Sequence, residues 1–176
     1  GLYLGQFDSD EHILAVFQDG TYYTTSFDLS NRYQENLLKI EKLDPEKTYT
    51  AIYFDGSVNC FYIKRFSFDV SDNNPQSFIT DAKGSYFVAI SDDKHPQIEI
   101  TFGGKHEHRE SETIDAENFI GKKGIQAKGK RASQFEIKEL HFGEPLHYEE
   151  DDIPEELPDN DISETGENDD EQLSLF

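Results

Sequence analysis

The sequence predicts an all-β domain built from propeller-like repeats, and three observations carry that prediction. Aromatic and β-branched residues alternate with polar ones over short runs: Phe66, Phe68 and Val70; Ile98, Ile100 and Phe102; Phe135 and Ile137. Asp-Gly and Gly-Gly pairs punctuate these runs, and helix signals are poor. The chain also repeats itself. "ILAVFQDGTYYTTSF" lines up with "YTAIYFDGSVNCFYIKRF" and then with "YFVAISDDKHPQIEITF", which sets the turn residues Asp19, Asp55 and Asp92 36 and 37 positions apart.

In chain order, the first copy reads as an apolar strand, an Asp19-Gly20 turn and a second strand. Asp-Gly is a hairpin signal because a type I′ turn needs positive φ at both central residues. "NLLKIEKLDPEKT" follows as another strand and a polar loop, and the second copy turns at Asp55-Gly56. "FSFDVSDNNPQSF" again reads as strand and loop, and the third copy turns at Asp92. A looser fourth copy, "NFIGKKGIQAKGKRASQF", places its turn at Lys123-Gly124. Roughly four strands per repeat result. Repeats of this size cannot bury their own faces singly, so they stack as blades.

Charge divides the chain. There are 16 Lys+Arg against 37 Asp+Glu, but the stretch 149–176 alone holds 13 of the acids and no Lys or Arg. Residues 1–148 therefore carry 24 acids against all 16 bases, a net of −8, and are expected to form the folded domain. The stretch 149–176 combines acid runs with Pro, Asn and Gly, and is expected to be a disordered acidic tail.

Several functional classes find no support. The single cysteine, Cys60, sits in a strand-like run, which excludes a disulfide scaffold and points to a bystander thiol. No apolar run reaches membrane-spanning length and no signal peptide opens the chain, so a cytoplasmic location without membrane contact is expected. The absence of Met suggests a piece of a longer protein. No nucleophile–base pair, phosphate-binding glycine loop or carboxylate dyad stands out, so this piece is expected to be non-catalytic and cofactor-free. His106 and His108 in "KHEHR" share one side of an extended segment, but no third ligand accompanies them, and no metal site is assigned. "DVSDNNPQSFITD" lacks the spacing and central glycine of a calcium loop.

The stretch 119–133, "FIGKKGIQAKGKRAS", is the informative exception. It carries Lys122, Lys123, Lys128, Lys130 and Arg131 with no acid among them. Duplex DNA presents a dense line of phosphates, which clustered cations bind largely by releasing counterions. Gly121, Gly124 and Gly129 allow close approach of the backbone. A lysine-bearing edge strand that resists aggregation is the competing use. Lys64, Arg65, Lys105 and Arg109 are secondary candidates, each with acidic neighbours.

"GIQAKGKRAS", after an apolar strand and a glycine turn, is similar to the blade signature of the C-terminal domain of bacterial type IIA topoisomerase A subunits, with Gly129, Lys130 and Arg131 matching its final part. "FYIKRFSF", with Lys64-Arg65, looks like a weaker copy. The resemblance covers roughly residues 10–145. It implies a β-pinwheel of four-stranded blades that exchange strands, with a basic rim that binds or bends duplex DNA. The gyrase-type Gln-Arg-Arg-Gly-Gly-Lys-Gly box is absent, so the chain looks closer to the topoisomerase IV A subunit. By the same resemblance, the DNA-cleaving tyrosine lies in another domain. ATP and Mg²⁺ serve the holoenzyme, the remaining A subunit and the ATPase B subunit are partners, and the location is the nucleoid.

The chain ends in "QLSLF". This resembles the pentapeptide by which bacterial replication proteins bind the sliding clamp, with Gln172 for polar contacts and Leu173, Leu175 and Phe176 as apolar anchors. A tethered polyanion could also compete with DNA for the basic rim. Two other readings stand beside these: a protein-interaction β-propeller without nucleic acid, its basic strip solubilising, and an extracytoplasmic carbohydrate-binding domain using surface aromatics such as Tyr22, Tyr23, Tyr53 and Tyr62.

Overall fold

A computed structural model describes residues 12–26, 35–71 and 74–146. They lie within a compact unit, Gly1–Pro145, apart from Leu146, which begins a second unit running to Phe176. The expected tail and its terminal pentapeptide, Gln172 to Phe176, lie outside the described residues.

The all-β expectation holds. Among the described residues, eleven strands form: β1 (His12–Phe17), β2 (Thr21–Ser26), β3 (Leu37–Lys42), β4 (Tyr49–Asp55), β5 (Cys60–Phe66), β6 (Gln76–Ser77), β7 (Tyr86–Ser91), β8 (Gln97–Phe102), β9 (Glu112–Asp115), β10 (Lys130–Arg131) and β11 (Ile137–Phe142). One four-residue helix, α1 (Ala116–Phe119), follows β9.

The strands make three antiparallel sheets, ordered β3-β1-β2-β6, β10-β5-β4-β7 and β11-β8-β9, here blades 1, 2 and 3. Each is built on a sequential hairpin: β1–β2, β4–β5 and β8–β9. The next free strand pairs with the first hairpin strand, as β3, β7 and β11 do, each with a register shift. The fourth strand arrives late. β6 closes blade 1 only after the hairpin of blade 2 has formed, and β10 closes blade 2 only after the hairpin of blade 3. Neighbouring blades are thereby interlocked by the chain itself.

This topology corrects the third repeat. "YFVAISDDKHPQIEITF" is no hairpin, because β7 pairs with β4 in blade 2 and β8 with β9 and β11 in blade 3. Asp92 caps no turn; its carboxylate lies 2.7 Å from Lys47 Nζ and 3.4 Å from Lys39 Nζ. The third hairpin turns through the longer connection 103–111, which contains a 3-10 turn, Gly104–His106. The fourth copy is likewise no hairpin: its turn is centred on Ile125-Gln126, where Ala127 N–H donates to Gly124 O at 3.0 Å.

The type I′ expectation also changes. In the first turn only Gly20 has positive φ, and in the second that role falls to Asn59, not to Gly56. Gly56 is required for space, since a Cβ there would sit 2.1 Å from Lys83 O.

Blade 2 is covered on both faces. One face, through Tyr49, Ala51 and Phe66, joins Leu14, Val16, Tyr22, Phe68 and Phe78 in one core; the other, through Ile52 and Ile63, joins Ile98, Ile100, Phe102 and Leu140 in a second. Phe66, Phe68 and Phe78 are fully buried and meet at ring-centroid distances of 5.0 to 5.7 Å. Each such ring contributes about 1.5–3 kcal/mol by leaving water.

A candidate nucleic-acid interface on the edge of blade 2

The basic stretch 122–131 is stitched to blade 2 by its backbone, which leaves its cationic side chains outside. Lys123 N–H donates to Arg65 O at 2.9 Å, and Ala132 N–H to Phe61 O at 2.8 Å. Between them Ile125 packs on the core shared by blades 1 and 2, and the Tyr53 hydroxyl donates to Lys128 O at 2.6 Å. Lys122, Lys123, Lys128, Lys130 and Arg131 are all exposed.

Gly129 makes this edge possible. Its φ is +94°, and a Cβ would lie 2.4 Å from Ile63 O and 2.8 Å from Lys64 Cβ. Only glycine lets the chain come this close to β5 in a left-handed conformation. Immediately afterwards Lys130 and Arg131 pair with Ile63 and Tyr62, forming the outermost strand of the blade.

The five cations are not equivalent. Lys128 Nζ lies 3.0 Å from Asp55 Oδ2 and 4.8 Å from the Tyr62 ring centroid. The contact with Asp55 raises the Lys128 pKa. Asp55 has a 1% exposed side chain; bonds from Ser57 and then Lys128 lower its pKa. Lys130 Nζ sits 4.3 Å over the Phe119 ring and 3.3 Å from Phe119 O. Lys122, Lys123 and Arg131 have no side-chain partner among the described residues.

The secondary candidates separate more sharply. Lys64 and Arg65 are buried, at 4% and 9% exposure, and cannot line a rim. Lys64 Nζ donates to Phe78 O and Ile125 O, each at 2.6 Å, tying the segment after β6 to the one before β10. Burial pushes its pKa down to about 8. Arg65 Nε donates to Thr50 Oγ1 at 3.0 Å. Lys64-Arg65 resembles a weaker copy of the blade motif, but a sheet covered on both faces has no outward side there. Lys105 is exposed on the 3-10 turn. Arg109 lies 3.7 Å from the Phe135 ring centroid and 3.1 Å from Glu112 Oε2, which commits it within blade 3.

The carbohydrate-binding reading loses its platform, because Tyr22 and Tyr53 are 2% and 1% exposed. Asp55, the buried anchor of Lys128, was missed in the sequence. The signal was present as an Asp two residues before a serine at a turn, where Oδ1 accepts from Ser57 N–H at 2.9 Å and from its hydroxyl at 2.7 Å. Among the described residues, no helix is long and apolar enough to cross a membrane.

The crystal structure of the C-terminal domain of DNA topoisomerase IV has the same fold as this chain, with a TM-score of 0.50 at 13% identity. The match covers 79% of this chain and 48% of that one, so this chain spans about half the length of the solved domain. No curated protein gives a match. A family model described as topoisomerase C-terminal domain, Bacteroidota, matches residues 1–144. With interlocked β-blades and a family match across most of its length, the chain belongs to the topoisomerase C-terminal domain family.

Proposed function

We propose that this domain binds duplex DNA without sequence preference and steers the transported segment toward the cleavage core of a topoisomerase IV-like A subunit. One observation carries the reading: five cations between positions 122 and 131 are all exposed on a stretch whose backbone is pinned to the edge of blade 2. Side chains fixed in this way suit phosphate contacts, which position a duplex without reading its sequence. Lys122, Lys123 and Arg131 make the freest contacts. Lys130 and Lys128 contribute from tethered positions, and Lys105 extends the track. The domain itself is non-catalytic; ATP, Mg²⁺ and strand cleavage belong to the remaining A subunit and its ATPase partner, at the nucleoid.

In this reading residues 1–148 form the DNA-binding part and 149–176 an acidic tail. The terminal Gln172, Leu173, Leu175 and Phe176 engage the sliding clamp. A pull-down with purified clamp that survives deletion of 172–176 unchanged removes that partner.

The test of DNA binding is duplex affinity as a function of salt for the full chain and for a variant with alanine at 122, 123, 128, 130 and 131. Log affinity should fall linearly with log salt for the parent, and the slope should shrink by about 0.9 per phosphate contact removed. Absence of binding at low salt leaves the protein-interaction reading in its place.

A further inference from the structure

Blade 2 displays a feature that phosphate binding does not use. Phe54, Phe61 and Tyr86 stand side by side on β4, β5 and β7, because the registers pair Phe54 with both of the others. Phe54 and Tyr86 are stacked at 5.0 Å and 20°, while Phe61 meets Phe54 edge-on at 5.0 Å. Tyr86 is 51% exposed and the neighbouring Val58 46%. Phe54 and Phe61 are half-buried beside Tyr86, so the three rings in contact present a partly open aromatic face.

Beside this ladder opens a crevice of about 520 Å³, bounded by Phe54 and Phe61 of blade 2 and by Phe135 on the way into blade 3. Arg131, Asn59, Ser133 and Glu136 are among its polar lining residues. The Arg131 guanidinium has no partner among the described residues and belongs to the strand that ends the basic stretch.

We propose that this crevice takes an unpaired nucleobase of a DNA strand, stacked against the aromatic ladder, with a flanking phosphate at Arg131. The inference rests on the DNA-binding reading and adds a second kind of contact to it. Flat rings suit flat bases, and such stacking tolerates any sequence because every base has a π-face. A strand whose phosphates follow Lys122 to Arg131 is delivered to the mouth of the crevice. Glu136 sets the orientation: its carboxylate repels a phosphate but accepts from an exocyclic amine, so the base enters and the phosphate stays at the rim. Asn59 offers a further donor and acceptor to a base edge.

The experiment compares two fluorescent DNA probes with the full chain: an intact duplex and the same duplex interrupted by a short single-stranded deoxyadenosine gap, whose bases carry the exocyclic amine. The gapped probe should bind about tenfold more tightly, the scale of one stacked base. Phe54→Ala, at the wall that the crevice shares with the ladder, should bring the two affinities together without altering binding of the intact duplex. Phe54→Tyr should retain the preference. Equal affinities in the parent protein overturn this inference and leave duplex binding standing, whereas failure to bind either probe overturns both. A gap preference that Phe54→Ala leaves intact also overturns the assignment, and so does one that Phe54→Tyr abolishes.

Discussion

The fourth strands of blades 1 and 2 are the same piece of architecture with different side chains. Gln76 and Ser77 pair with Tyr22 and Thr21, after which the buried Phe78 donates its N–H to Gly20 O at 2.9 Å. Lys130 and Arg131 pair with Ile63 and Tyr62, after which the buried Ala132 donates to Phe61 O at 2.8 Å. Two exposed residues followed by a buried one form the late-arriving edge in both blades. In blade 1 the exposed pair is neutral, and in blade 2 it is doubly cationic. The edge is therefore a requirement of the interlocked fold, while charge is chosen separately at two outward positions. This difference also identifies the true counterpart of Gly-Lys-Arg: it is "PQS" at 75–77, not the buried Lys64-Arg65.

The comparison breaks most severely at Gly129. Blade 1 reaches its edge through Pro75, but blade 2 needs a left-handed residue without a Cβ. Gly129→Val should cost about 3 kcal/mol through strain and the collision with Ile63 O, visible as a large drop in Tm. An unchanged Tm would mean that the approach to β5 relaxes freely.

A smaller effect is expected at Asp55, which holds Lys128 on the blade 2 side only. Its lowered pKa means that it stabilises the fold above the ordinary aspartate range, and that this contribution is lost as the pH falls through its depressed value. Asp55→Asn should lower Tm by a few degrees at neutral pH, and the difference should close at low pH. A difference that persists in acid would assign the loss to packing alone.

Lys64 gives the subtlest contrast, as the buried amine that joins the two edges. With its pKa at about 8 in the fold against 10.5 outside it, the unfolded chain binds more protons between those values. Stability from this group should consequently rise with pH from about 8 upward. Tyr49 and Tyr53, whose pKa values are raised by burial above 10.0, oppose that trend once the pH exceeds 10. Denaturant melts at pH 8 and 10 should show the rise in the parent and its absence in Lys64→Met.

The sequence disclosed the parts of this fold that use strong local signals. Alternation and the Asp19 and Asp55 turns located two hairpins, and the glycine-flanked cations located the exposed edge. It concealed what depends on distant pairing. A two-residue strand such as β6 has no periodicity to detect, and Asp92 sat at the repeat spacing although its strand belonged to another blade. The misplacement of Lys64 and Arg65 has the same origin, because nothing local records that blade 2 is covered twice. The aromatic ladder is also invisible in sequence, since Phe54, Phe61 and Tyr86 meet only through the registers of three strands.

The most direct test of the central claim moves charge between the two edges. Duplex affinity against salt should be measured for the parent, for a Lys130→Gln/Arg131→Ser variant, and for that variant carrying Gln76→Lys/Ser77→Arg. If cations fixed on a blade edge bind phosphates, the first variant should lose about two units of salt slope, and the second should regain much of that loss from blade 1. Identical slopes in all three proteins would contradict the claim that edge cations on these blades hold DNA.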